Sequence, residues 1–111
     1  MDEKKYRLVL NATLQKVEKA FDQVDPDLAE CSISQGALTI QFASGAKCIL
    51  SGQPSVRQLW MAVAVRGLGF HFNYDEATGE WIDDKGQGVK ALSYLNTLLR
   101  EEAGVKLDLV D

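Results

Sequence analysis

Two hydrophobic periods run along the chain, and the order in which they occur predicts its architecture. From Asp2 to about Val24 apolar residues recur at steps of three and four. Tyr6, Val9, Leu10, Leu14, Val17, Phe21 and Val24 form one stripe, with Lys4, Arg7, Asn11, Glu18 and Asp22 off it. The pattern is that of an amphipathic helix capped by Asp2. Asp25-Pro26-Asp27 stops it, because the residue before a proline is pushed out of the helical region. The period then changes to two. Strands are predicted at residues 30–34, 37–42, 47–50, around Trp60, at 70–73 and at 80–83. Gln35-Gly36, Ser44-Gly45, Gly52-Gln53-Pro54-Ser55, Arg66-Gly67-Leu68-Gly69 and the loop from Tyr74 to Gly79 separate them. Asp84-Lys85-Gly86 turns out of the last strand. Helical spacing returns from about 89 to 103, carried by Leu92, Leu95, Leu98 and Leu99 and stopped by Gly104. The apolar tail from Val105 to Val110 is expected to lie against the core.

Helix, about six antiparallel strands, helix: one face of the sheet must bury both helical stripes. The expected fold is α+β, a two-layer α/β sandwich with the N- and C-terminal helices on one face, forming one domain over residues 1–111. Alternation puts Leu38, Ile40, Phe42, Leu59, Met61, Phe70 and Phe72 on the core face. Gln58, Trp60, Ala62, His71 and Asn73 then face outward. A large aromatic in polar company on an open sheet marks an interaction surface. The competing reading has a further element cover Trp60 and make it core. Since both helices belong to the opposite face, exposure is the expectation.

Composition adds the class. The chain has 111 residues, 46% hydrophobic and 25% charged, which suits an ordinary globular domain and excludes a disordered or fibrous one. No apolar run is long enough to span a membrane, and neither a signal peptide nor a presequence is recognisable before the first helix. A cytoplasmic location is expected. A net charge of −4 argues against nucleic acid as partner. The distribution of charge says more than its sum. Residues 18–30 hold Glu18, Asp22, Asp25, Asp27 and Glu30 against Lys19, whereas residues 31–74 contain no acid and carry Lys47, Arg57, Arg66 and His71. An acidic end and a mildly basic sheet should result. Cys31 and Cys48 lie in apolar strand patterns without metal-ligand spacing, and are expected as buried free thiols.

Two candidate sites follow. Glu18 and Asp22, four apart on one helical face, repel each other, and Asp22 lies where the helix macrodipole already disfavours negative charge. A cation would relieve both effects. Carboxylates without His or Cys are hard ligands, suited to weakly held, hydrated divalent or ferric ions. The alternative is a solvated face kept for solubility. On the sheet, Trp60 supplies apolar area, Gln58 and Asn73 adaptable hydrogen bonds, and Arg57 and Arg66 flanking charge. By parity Arg57 points with the core residues, so it is expected at the strand start, reaching around the edge. His71, the only histidine, suits a surface contact better than metal ligation. No nucleophile–base pair is evident. Asp75, Glu76, Glu80, Asp83 and Asp84 form a second acidic run without a calcium-loop pattern, read as a solvated loop and strand edge.

Several segments in this order resemble the frataxin family, most closely its bacterial branch: Gly36-Ala37-Leu38-Thr39-Ile40, Ser44-Gly45-Ala46-Lys47, and Gln53 with Gln58-Leu59-Trp60. Gly69-Phe70-His71-Phe72, Glu80-Trp81-Ile82 and Asp84-Lys85-Gly86 complete it. The resemblance implies a non-enzymatic regulator of iron–sulfur cluster assembly. It implies weak binding of iron (Fe2+ or Fe3+, with other divalent cations admitted) at a ridge formed here by Glu18, Asp22, Asp25, Asp27 and Glu30. It also implies docking on the cysteine desulfurase and the scaffold protein through Gln58, Trp60, His71, Asn73 and Arg57. No nucleic acid or membrane is expected as partner; the chain is expected as a monomer or an iron-dependent oligomer. Alternative readings are ferrous-iron oxidation or storage, and a plain interaction module with no specific metal site. Lys16, Lys19, Pro26 and Leu28 thin the ridge relative to the family, and Asn73 stands where an acid is common.

Overall fold

The computed structural model describes residues 1–110. The Asp2 carboxylate accepts the Lys5 N–H at 2.7 Å and starts helix α1 (Glu3–Ala20), as the sequence predicts. A 3-10 turn, Phe21–Gln23, tightens its end before Val24 returns to extended backbone. The strands are β1 (Ala29–Ser34), β2 (Ala37–Phe42), β3 (Lys47–Gln53), β4 (Gln58–Val63), β5 (Leu68–Asp75) and β6 (Glu80–Asp83). Helix α2 (Ala91–Ala103) ends at Gly104, whose φ of 66° is the left-handed stop that glycine adopts without penalty. It begins two residues later than its pattern suggests. Lys90 has extended backbone bridged to Ile82, and the Val89 carbonyl accepts the Asp83 N–H instead of a helical donor.

The six strands form one antiparallel meander in sequence order. Gln35 and Gly36, with φ of 53° and 78°, make the two-residue turn between β1 and β2, whose twist matches that of the strands. One sheet face carries Leu38, Ile40, Leu50, Leu59, Met61, Phe72 and Trp81, all buried. Tyr6, Leu14 and Val17 of α1 and Leu92, Leu95, Leu98 and Leu99 of α2 cover it. The expected inward set is therefore observed, except that Phe70 is only partly buried, with its ring 4.7 Å from that of Tyr94. In the tail Val105 and Leu109 are buried. Asn96 brackets Leu109, donating to its carbonyl and accepting its N–H, both at 2.9 Å.

One glycine sets the distance between the layers. A Cβ on Gly52 would run into Leu10 Cδ2 and come within 2.9 Å of Tyr6 Oη. Its absence lets α1 settle on β3, and the Tyr6 hydroxyl then donates to the Gln58 carbonyl at 2.7 Å. The core side thereby fixes the start of β4, whose outer residues form the first candidate site. No helix among the described residues is long and apolar enough to cross a membrane.

The cysteines separate. Cys48 is fully buried, and burial pushes its thiol up to about 12. Cys31 is only half-buried, contrary to expectation, because β1 is an edge strand. Burial, and then the charge of Glu18, raise it to about 11. Both are free thiols.

Candidate functional site

On the open face, register places Ser51 of β3, Trp60 of β4 and His71 of β5 in one row, with Gln53, Gln58 and Asn73 in the neighbouring one. The Trp60 and His71 rings stack, 4.1 Å between centroids and 10° between planes. The indole Nε1–H donates to Gln58 Oε1 at 2.8 Å. Gln58 Nε2 in turn donates to Asn73 Oδ1 at 3.1 Å and to Asp84 Oδ2 at 3.0 Å. Period-two alternation thus brings four of the sequence-predicted residues, Gln58, Trp60, His71 and Asn73, into one connected array. His71 and Asn73 are exposed and Trp60 half-exposed, with no second element among the described residues over them.

Arg57 stands immediately before β4, at the strand start as expected, whereas Arg66 departs from expectation. Arg57 does not belong to β4: it holds a left-handed backbone, φ 54°, after the 3-10 turn Pro54–Val56, so strand parity does not reach it. Its guanidinium donates to the Pro54 carbonyl. Arg66 turns away from Trp60 altogether. It ends the 3-10 turn Ala64–Arg66 at the rim of the sheet, where α2 presents Glu101 at 2.8 Å, Glu102 at 3.1 Å and the Tyr94 hydroxyl at 3.4 Å. These acids neutralise it. Arg66 is accordingly withdrawn from the positive charge expected of this face, while Lys47 stays exposed on β3.

Asp84, which arrives from the turn after β6, was not among the residues that sequence reasoning singled out for this face. Its Oδ2 lies 3.8 Å from His71 Nδ1, within ion-pair range when the imidazole is protonated, and its backbone N–H donates to the His71 carbonyl at 2.8 Å. Neighbouring Asp83 also corrects the reading of a solvated acidic run. It is buried, because Asp83 pairs with Phe72 on the core side of the sheet. Its carboxylate accepts N–H groups from Lys85 at 3.0 Å, Gln87 at 3.2 Å and Val89 at 2.7 Å. Burial alone would push this carboxyl up. The three donors outweigh it and hold the group below its ordinary value. The rest of the run is indeed peripheral: Glu76 pairs with Lys5 at 2.8 Å, Glu80 with Lys90 at 3.0 Å, and Asp75 caps the Ala77 N–H at 2.9 Å.

The acidic end forms a groove of about 590 Å³ between the end of α1 and β1–β2. Glu18, Asp22 and Glu30 line it together with Lys19, Phe21 and Cys31. Asp25 and Asp27 do not line it. The Asp25 carboxylate accepts the Asp27 N–H at 2.9 Å, closing the turn that Pro26 begins. Among the described residues no three His, Cys, Asp or Glu side chains converge as a ready ligand set. Cys31 is the groove residue that the sequence reading left in the core; its edge position depends on strand order, which alternation does not reveal.

A six-stranded antiparallel meander with both terminal helices on one face, an aromatic array on the other and acids at the end of the first helix is the architecture of a frataxin-like domain. The model of the family described as frataxin-like domain matches residues 1–108, and the chain belongs to the frataxin family. It is 39% identical over 108 residues to the iron-sulfur cluster assembly protein CyaY of Pseudomonas entomophila, covering 97% of this chain and 94% of that one. To the CyaY of Pseudomonas aeruginosa it is 45% identical over 104 residues, covering 94% and 93%. Among solved structures, the frataxin of Psychromonas ingrahamii superposes with a TM-score of 0.86 at 22% identity, over the whole of both chains. The trimeric frataxin of Saccharomyces cerevisiae, complexed with ferrous iron, gives 0.64 at 21% identity, over 95% of this chain and 88% of that one. These structural likenesses bear on the fold.

Proposed function

We propose that this chain is an iron-binding regulatory protein of iron–sulfur cluster assembly. It acts by binding rather than by catalysis, as one cytoplasmic frataxin-like domain. The observation that carries the reading is the family match over nearly the whole chain, to relatives named iron-sulfur cluster assembly proteins. Iron is held weakly at the acidic end by Glu18, Asp22 and Glu30 around the groove, with Asp25 and Asp27 adding negative potential from its rim. The carboxylates are exposed and do not converge, which suits a hydrated, labile ion and poor selectivity among cations. A yeast frataxin solved with ferrous iron supports iron as the metal.

The cysteine desulfurase and the scaffold dock on the open sheet face. There Trp60 is the aromatic anchor, His71 its stacking partner, and Gln58 and Asn73 the hydrogen-bonding rim. Arg57, held beside Pro54, contributes at the edge. An anaerobic ferrous-iron titration followed by amide NMR tests the reading. Selective broadening within residues 18–30 is expected. Broadening centred on His71 would move the metal to the sheet. The absence of any selective broadening would leave an interaction module without a metal site, a second reading favoured by the engagement of Asp25 in its own turn.

A further inference from the structure

The geometry points to Asp84 as a positioning residue for the docking face: from a loop outside the strands that form that face, it fixes the amide of Gln58 and, through it, the indole of Trp60. This rests on the docking reading above and adds a residue to it. The argument begins with donors and acceptors. An indole has one N–H and no acceptor, so Trp60 Nε1 forces Gln58 to present its carbonyl oxygen, at 2.8 Å. The Gln58 amide nitrogen must then point the other way. It carries two hydrogens and meets two oxygens, Asn73 Oδ1 at 3.1 Å and Asp84 Oδ2 at 3.0 Å. Every polar group of the Gln58 amide is thereby occupied. The bond to Asp84 is the charge-assisted one and the stronger of the two.

Asp84 is itself held in place. Its N–H is fixed to the His71 carbonyl at 2.8 Å, and the preceding Asp83 is buried with three backbone N–H groups gathered on its carboxylate. A buried carboxylate thus anchors the turn, and the exposed one beside it braces the array. The same Asp84 oxygen stands 3.8 Å from His71 Nδ1, so one atom lies beside the His71 ring of the stack and bonds the glutamine that holds the Trp60 ring. An indole fixed before the partner arrives loses less rotamer freedom on binding, which favours affinity without any contact from Asp84 to the partner.

The test combines the Trp60 indole N–H signal in NMR, the thermal midpoint, and affinity for the desulfurase–scaffold complex. Asp84→Ala should shift or broaden the indole signal and weaken capture about three- to tenfold, with the midpoint almost unchanged. Asp84→Asn, which keeps an oxygen acceptor for Gln58, should restore both. Gln58→Glu sets a second carboxylate against Asp84 and should disorder the indole by repulsion, which keeps the question open to test if Asp84→Ala destabilises the loop. An indole signal and affinity untouched by Asp84→Ala, in a protein where Trp60→Ala abolishes capture, would overturn the inference and leave the docking reading intact. Capture insensitive to Trp60→Ala would overturn the docking reading, and the indole signal alone would then decide the positioning role.

Discussion

The two tryptophans sit in similar alternating strand sequences and have opposite fates. Trp81 on β6 is fully buried. Its Nε1–H donates to Thr13 Oγ1 on α1 at 3.0 Å, and its ring meets Tyr6 and Tyr74 edge-on, at 6.3 and 5.0 Å. Trp60 on β4 gives its N–H to a glutamine of its own strand and its ring to a histidine of the next. The chemistry of the side chain is the same. What differs is the sheet face, and so whether the partners come from another layer or from the same surface. Trp81 joins the two layers of the fold, while Trp60 belongs to a self-contained array that the fold presents.

The largest expected effect separates the two. Trp81→Ala should open a cavity between sheet and α1 and cost about 3–5 kcal/mol, measured by chemical denaturation. Trp60→Ala should cost less than about 1 kcal/mol on the same measurement, yet weaken capture of the desulfurase–scaffold complex by about 2 kcal/mol or more, as an anchor residue does. Comparable stability losses for both variants would erase the distinction and make Trp60 part of the core. A gentler cut on the buried side is Thr13→Val, which leaves the Trp81 N–H without its acceptor at almost constant volume. It should cost about 1–3 kcal/mol.

Asp83 and Asp84 repeat the comparison within two adjacent residues, one buried and holding the loop, the other on the surface. Because backbone donors hold the folded Asp83 carboxyl below its ordinary value, its contribution to stability is fully present above the unfolded carboxylate range, near about pH 4. It is lost as pH falls through the lower, folded value. Melting curves of wild type and Asp83→Asn should therefore differ most at neutral pH and converge on acidification. A gap between wild type and Asp83→Asn that stays constant down to pH 2 would mean that the loop, not the ionised carboxylate, accounts for the stability.

The same contrast explains what could be read from the sequence. Helical and strand periods are local, so α1, the strands, α2 and the outward placement of Gln58, Trp60, His71 and Asn73 follow from the residues themselves. The misreadings fall at element ends, where parity stops applying. Arg66 ends one 3-10 turn and Arg57 directly follows another, and each guanidinium goes where the turn aims it. The turn at Asp84-Lys85-Gly86 is legible, but the burial of Asp83 depends on the β5–β6 register, which the loop between them sets. Cys31 at the acidic groove depends on β1 being an edge, a property of strand order.

The acidic end tests the weakest interaction and bears on a third kind of surface, neither core nor aromatic array. Glu18 is exposed near the end of α1, and Asp22 lies in the 3-10 turn that follows, so both face the negative end of the helix dipole with only Lys19 nearby as the last basic residue of the helix. Neutralising either by Glu18→Gln or Asp22→Asn should stabilise the fold by about 0.3–1 kcal/mol at low salt, an effect that salt screens away. A divalent cation should stabilise the wild type in the same sense and do less for the double variant. If the cation raises the melting temperature of both proteins equally, the groove acids are not what it binds, and the acidic end acts through solubility alone. If wild type gains and the variant does not, strain stored at the end of α1 is what the cation relieves, whereas the open face is satisfied from within by its own hydrogen bonds.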